Sequence, residues 1–244
     1  MGLWRCDKLI FKRKIYEKLL EWKNLNGREA LLIEGARRVG KSTIVQEFAK
    51  NEYESFILID FARISNEVKD YFTRFSNNLD TLFMLLQNIY GVELKERKSL
   101  IIFDEVQRFP AARELVKYLV ADGRYDYIET GSLISIKENV KDIVIPSEER
   151  AIKMYPMDFE EFCIAMGDKP LTIYIQDCFL KNIPLERGLH EKAMQLLREY
   201  MLVGGMPQVV SIYIESHKNF GEADRINRNI LNLYREDIMK INAR

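Results

Sequence analysis

The sequence predicts a three-layer α/β domain with a mainly parallel sheet, followed by a small C-terminal helical domain. Three observations predict it. Short apolar runs alternate with stretches of helical period up to about residue 155. One junction between such a run and a helix, Leu31–Thr43 (LLIEGARRVGKST), holds a loop bounded by glycines. From Pro156 onward the strand-like runs stop and helical periods alone remain.

The glycine loop organises the rest. Leu31, Leu32 and Ile33 read as a buried strand, and Gly35-Ala36-Arg37-Arg38-Val39-Gly40-Lys41-Ser42 fits G-x-x-x-x-G-K-[ST] without a gap. Ile44, Val45, Phe48 and Ala49 then recur at helical spacing, so the order is strand, loop, helix. Gly35 and Gly40 can take backbone angles closed to other residues, which lets the loop curl with its N–H groups inward. With the positive end of the helix dipole behind them, those groups form a cradle for phosphate oxygens. Lys41 brings a point charge for the β- and γ-phosphates, and the Ser42 hydroxyl can ligate Mg²⁺. The binding stretch is therefore Gly35, Ala36, Arg37, Arg38, Val39, Gly40, Lys41, Ser42 and Thr43. An ordinary glycine turn before a helix is the rival reading, and the flanking strand and helix weigh against it.

Ahead of the loop, residues 12–24 place Ile15, Leu19, Leu20 and Trp22 around one helical stripe, and Asn26-Gly27 supplies a turn. Lys12-Arg13-Lys14 reads as a solvated helix face rather than a nucleic-acid contact. After the loop, its helix runs to about residue 50. Phe56-Ile57-Leu58-Ile59 forms a second buried strand, ended by Asp60. Helices follow over 66–75 and 79–90, the latter through Leu79, Leu82, Phe83, Leu86 and Tyr90.

Ser99–Phe103 is the next strand, and Asp104-Glu105 stands at its end. In a parallel sheet the carboxyl ends of the strands open onto the ligand crevice. Asp104 there suits a hard cation that bridges phosphate oxygens, and Glu105 is placed to activate water for in-line attack. An acidic residue that merely ends a strand is the rival, and the phosphate loop some 60 residues earlier favours chemistry. Phe109-Pro110 opens a helix over 111–121, closed by Asp122-Gly123. Tyr125–Glu129 is a further strand, closed by Thr130-Gly131-Ser132. A hydroxyl at that point senses the γ-phosphate or positions water, or else the three residues form a plain turn. Residues 133–148 read as a flexible connection, and Ala151–Tyr155 as the last strand. Helices over 158–166, 171–181, 189–202, 207–216 and 221–241 complete the chain, with a break at Gly204-Gly205-Met206-Pro207. On the last helix Ile226, Ile230, Tyr234, Ile238 and Ile241 form a stripe whose face should be buried.

Composition narrows the classes. The 244 residues are 47% hydrophobic with zero net charge, so the whole molecule is not built to coat nucleic acid or an acidic membrane. Residues 1–41 hold eleven Lys/Arg against five Asp/Glu, part of which serves the loop. Cys6, Cys163 and Cys178 are odd in number and lack a C-x-x-C pair, which fits a reducing cytoplasm without disulfides or zinc. His190 and His217 stand apart from any ligand cluster and read as surface or satisfied histidines. No signal peptide and no apolar run near 18 residues appears, so no membrane segment is expected. An N-K-x-D guanine-reading element is absent, which argues against a GTPase, and no basic lid marks a small-molecule kinase.

With these residues in view, the sequence resembles a prokaryotic family of predicted P-loop ATPases. These are related to AAA+ proteins, and in them the ATPase part precedes a DUF4143-type C-terminal region. The matching pieces are Gly35–Thr43, Asp60, Phe103-Asp104-Glu105-Val106-Gln107, Thr130-Gly131-Ser132, Tyr155-Pro156-Met157-Asp158-Phe159-Glu160-Glu161-Phe162 and Gly204-Gly205-Met206-Pro207. The resemblance implies ATP and Mg²⁺ as ligands. Lys41, Glu105 and Ser132 would be catalytic, with Ser132 as sensor, and Ser42 and Asp104 would serve the metal. Arg37, Arg38 and Arg150 are candidates for an arginine finger. The implied organisation is an N-terminal helix over 1–28, a P-loop ATPase domain over 29–156 and a helical domain over 157–244. Relatives run further beyond Gly-Gly-x-Pro, so the chain reads as a fragment, a short variant or a trimmed form. The expected function is Mg²⁺-dependent ATP binding with slow hydrolysis coupled to movement of the helical domain, against a nucleotide-dependent switch that scarcely hydrolyses. A protein partner or second copy would engage the C-terminal helices, while nucleic acid stays open without support.

Overall fold

The computed structural model describes residues 9–132 and 149–242. The expected connection over 133–148 and Cys6 lie outside the described residues. The chain divides into two compact units. One comprises Ile15–Ala36 and Gly40–Met154, and the other Tyr155 to the C-terminus with the segment up to Lys14 and Arg37–Val39.

The first unit is the α/β one. Its five strands are β1 (Ala30–Gly35), β2 (Ser55–Asp60), β3 (Ser99–Asp104), β4 (Asp126–Ser132) and β5 (Glu149–Met154). They lie in the order β2-β3-β4-β1-β5, and every pairing is parallel. Parallel neighbours require crossovers, and helices supply them: α2 (Lys41–Glu52) after β1, α3 (Asn66–Arg74) and α4 (Leu79–Tyr90) after β2, and α5 (Pro110–Asp122) after β3. The helix α1 (Ile15–Lys23) precedes the sheet and buries Ile15, Leu19 and Trp22. Local chemistry sets the ends. Ser65 caps α3 by accepting from the Val68 N–H, Asn78 caps α4 through Thr81, and Pro110 opens α5 where a missing N–H does no harm.

The core is two-sided, as a covered parallel sheet demands. Leu32, Ile57, Ile59, Ile101 and Phe103 cluster with α3, α4 and α5, where Phe61, Phe72, Phe103 and Phe109 meet with ring centroids 5.5–6.2 Å apart. Leu31, Ile33, Ile102 and Ile128, the alternate residues, are equally buried. β4 runs through Ser132, so Thr130-Gly131-Ser132 are strand residues in register with Ile33, Glu34 and Gly35 rather than a closing turn. The same strand buries Glu129 completely. Arg113 of α5 donates to both oxygens of Glu149 at 3.2 and 2.8 Å and stands 4.0 Å from Glu129.

The second unit is helical: α6 (Phe159–Ala165), α7 (Lys169–Lys181), α8 (Arg187–Val203), α9 (Pro207–Glu215) and α10 (Phe220–Asn242). Met157, Phe162, Val203, Val209, Val210, Tyr213, Ala223, Ile226 and Ile230 form its main core. Gly205 is required by contact, because a Cβ there would lie 2.0 Å from the Met157 carbonyl oxygen. The Met157 N–H in turn donates to the Gly205 carbonyl at 2.7 Å. Asp158 and Glu161 close a capping box on α6.

Two expectations change here. Lys12-Arg13-Lys14 precede α1 instead of lying on it, and Arg13 is buried. Its guanidinium lies 3.2 Å from Glu161 and donates to the carbonyls of Val39 (3.0 Å) and Tyr155 (2.7 Å). The stripe on α10 is buried at Ile226 and Ile230, half-buried at Tyr234 and exposed at Ile238. A four-residue step advances about 400°, so each step turns roughly 40° off the buried face. His190 and His217 are exposed, in line with the sequence.

Candidate nucleotide site

The site begins where β1 ends. Gly35 closes the strand, and Gly40, at φ 99°, takes the left-handed conformation that turns the chain into α2. No side chain caps α2, so its first N–H groups point into the loop unclaimed by a cap. Lys41 is buried, and its Nζ donates to the carbonyls of Gly35 (2.9 Å) and Ala36 (3.0 Å). The ammonium thus stands within the curl that it would share with phosphate. Arg38 has φ 64°, a left-handed backbone that costs a residue with a Cβ about 1 kcal/mol.

The strand tips bring the acids to the same place. Ser42 Oγ donates to Asp104 Oδ1 at 2.8 Å, which joins the start of α2 to the end of β3. Thr130 Oγ1 donates to the same carboxylate oxygen and accepts the Glu105 N–H at 3.4 Å. Glu105 itself has φ 55° and starts a 3-10 turn over Val106–Arg108. From that turn Gln107 Nε2 donates to Glu105 Oε2 at 2.5 Å. Ser132 is buried beside Gly35 in the β1–β4 register, and Asp60 is level with Asp104 on β2.

Ser42, Asp104, Thr130 and Glu105 are therefore linked by hydrogen bonds within the α/β unit, next in the chain to the Lys41–Gly35 contact, with Ser132 at the same carboxyl end of the sheet. Arg150 is elsewhere: it pairs with Leu31 near the opposite ends of β1 and β5 and forms an ion pair with Glu29. Arg37 and Arg38 sit at the loop tip, which clusters with the helical unit. There Arg37 pairs with Asp237 at 2.6 Å and Arg38 donates to Gln208 at 2.7 Å. Sequence reading assigned no separate role to Thr130 or Gln107. The one signal was spacing, since Thr130 lies two residues before Ser132 on the same face of one strand.

A hydroxyl and a carboxylate within hydrogen-bond distance form an all-oxygen donor pair, the chemistry that suits Mg²⁺ completed by phosphate and water. No group of three or more His, Cys, Asp or Glu that could hold a metal occurs among the described residues. No helix among them is long and apolar enough to cross a membrane.

A family model described as an AAA domain matches residues 27–163, and a model of a domain of unknown function (DUF8612) matches residues 194–244. The latter corrects the DUF4143-type region that the resemblance implied. None of the curated proteins matches the sequence. Among solved structures, the Walker-type ATPase PABY2304 of Pyrococcus abyssi is similar over 96% of this chain and 76% of its own, at 18% identity and a TM-score of 0.54. That likeness is one of fold. PCH-2 of C. elegans is 11% identical over 96% of this chain and 71% of its own, with a TM-score of 0.46. The ORC1 protein of Aeropyrum pernix, solved in complex with DNA, is 8% identical over 80% and 68%, with a TM-score of 0.43.

Proposed function

The chain belongs to the AAA domain family of P-loop ATPases, and on that premise we propose that it binds ATP with Mg²⁺, hydrolyses it slowly and couples nucleotide state to movement of its helical unit. The observation that carries the reading is the Ser42–Asp104 hydrogen bond at 2.8 Å, which ties the phosphate loop to the acidic strand tip. Backbone N–H groups from Gly35 to Thr43 hold the β-phosphate, and Lys41 exchanges its loop carbonyls for β- and γ-phosphate oxygens. Mg²⁺, when bound, is held through Ser42 and Asp104 and neutralises charge that develops on the phosphate oxygens. Glu105 accepts the proton of a water that attacks the γ-phosphorus, as the bond from that phosphorus to the β-bridging oxygen breaks and ADP leaves. Ser132, beside Gly35, serves as the sensor of the γ-phosphate.

A cytoplasmic setting belongs to this reading, where ATP is at hand and Cys163 and Cys178 remain free thiols. The helical unit is the place for a protein partner or a second copy, and exposed Phe179, Leu180, Met201 and Leu202 support that placement. A second reading, a nucleotide-dependent switch with little hydrolysis, has one observation in its favour. Arg37, Arg38 and Arg150 are each engaged by Asp237, Gln208 or Glu29 instead of standing ready for a γ-phosphate.

Phosphate release separates the two. Glu105→Gln should lower kcat about 10²- to 10⁴-fold and leave ATP binding intact. Lys41→Ala should abolish protection of the chain by ATP-Mg²⁺ against heat. Hydrolysis that survives Glu105→Gln undiminished removes Glu105 from the chemistry, and a parent chain that ATP-Mg²⁺ does not protect overturns the nucleotide reading.

A further inference from the structure

The three residues at the tip of the phosphate loop are held by the helical unit. Arg37 donates to Asp237 Oδ1 at 2.6 Å, and the Arg37 carbonyl accepts the Tyr234 hydroxyl at 2.6 Å. Arg38 donates to Gln208 at 2.7 Å, and the buried Val39 offers its carbonyl to Arg13 at 3.0 Å. Three separate elements thus grip three consecutive residues: the segment before α1, the start of α9, and α10.

The grip of α10 is of a different kind from its core packing. Beyond Ile230 none of the side chains described on α10 is buried, and Leu231, Ile238 and Met239 are exposed. The outer half of the helix therefore gains little from apolar burial. Tyr234 and Asp237, three residues apart and so on one face, attach it to Arg37 through a hydroxyl and a charge-assisted bond. Arg37 lies two residues after Gly35 and three before Gly40, inside the curl whose N–H groups must converge on one phosphate. A tip held at a side chain and a carbonyl has far fewer ways to uncurl.

We infer that Tyr234 and Asp237 are positioning residues for the phosphate loop, and that the outer half of α10 is a brace whose docking and ATP binding favour each other. The inference rests on the proposed ATP site and names the regulation of it. It also accounts for residues 194–244, the segment that matches a domain of unknown function, since Gln208, Tyr234 and Asp237 within it hold the loop tip. Coupling of this kind is reciprocal. If the brace aids ATP, then ATP must steady the brace by the same factor.

The test is a Tyr234→Phe/Asp237→Asn double variant, nearly isosteric with the parent, checked for an intact melting transition. Its Kd for a fluorescent ATP analogue with Mg²⁺ is measured beside hydrogen exchange of residues 230–242, with and without ATP. The double variant should bind ATP about tenfold more weakly, while Asp237→Glu, which keeps the charge, should stay within about threefold of the parent. Exchange over 230–242 should quicken in the double variant, and ATP-Mg²⁺ should slow it in the parent. Faster exchange with an unchanged Kd would overturn the positioning role, and unchanged exchange would overturn the brace. A parent chain that binds no ATP-Mg²⁺ would overturn the ATP reading and the positioning role together, and the exchange arm would then decide the brace alone.

Discussion

Glu129 offers the most quantitative check on the α/β core. It is wholly buried on β4, where one guanidinium has two carboxyls to serve. Arg113 directs its fork to Glu149 and stands 4.0 Å from Glu129. Burial first, and the neighbouring Glu149 second, push the Glu129 carboxyl well above its ordinary range, against the opposing pull of Arg113. The folded chain therefore keeps a proton that the unfolded chain sheds near pH 4.3, the ordinary glutamate value at about 25 °C. Stability from this group is complete below that value and is lost as pH rises towards the raised one. While the folded chain holds that proton, the slope is at most about 1.4 kcal/mol per pH unit. Glu129→Gln removes the titration and keeps an N–H donor for Glu149. Urea unfolding of parent and variant at pH 5.5, 6.5 and 7.5 measures the difference, in which titrating groups remote from Glu149 and Arg113 cancel. The variant should gain on the parent by an amount that grows as pH rises and does not exceed that slope. Parallel stability profiles would refute the account of a proton held at Glu129.

Two further outcomes follow from contacts already described. Gln107→Leu removes the amide that holds Glu105 on its turn, so kcat should fall about 10- to 100-fold with ATP affinity retained. Phosphate release and ATP titration read the two separately. Gly205→Ala places a methyl group against the Met157 carbonyl, which backbone cannot readily yield, and urea unfolding should show a loss of about 1–3 kcal/mol.

Local pattern made much of the fold legible. Strands β1, β2 and β3 each hold an apolar run of four residues and end in glycine or acid, and α4 repeats its apolar residues at three and four. Such signals are local, so sequence order suffices to read them. The phosphate loop belongs with them, because all of its parts lie within one stretch of chain. Strand ends are less legible, and β4 shows why. Thr130-Gly131-Ser132 has the composition of a turn, yet β1 on one side offers a parallel ladder that extends the strand through Ser132. Arg13 misled for a related reason, since a basic triplet ahead of a helix gives no sign that Glu161 and two carbonyls await it 26 to 148 residues away.

By itself the sequence determined the alternation of strands and helices, the glycine curl at the head of α2 and the acids after β3, since each depends on neighbours a few residues apart. Only the tertiary structure decided that Thr130 joins Asp104 to Glu105, that Glu129 is buried with Glu149 and Arg113, and that α10 reaches Arg37. Those depend on which distant groups are packed together away from water, where a hydrogen bond or a charge acquires its strength and an unmet one its penalty.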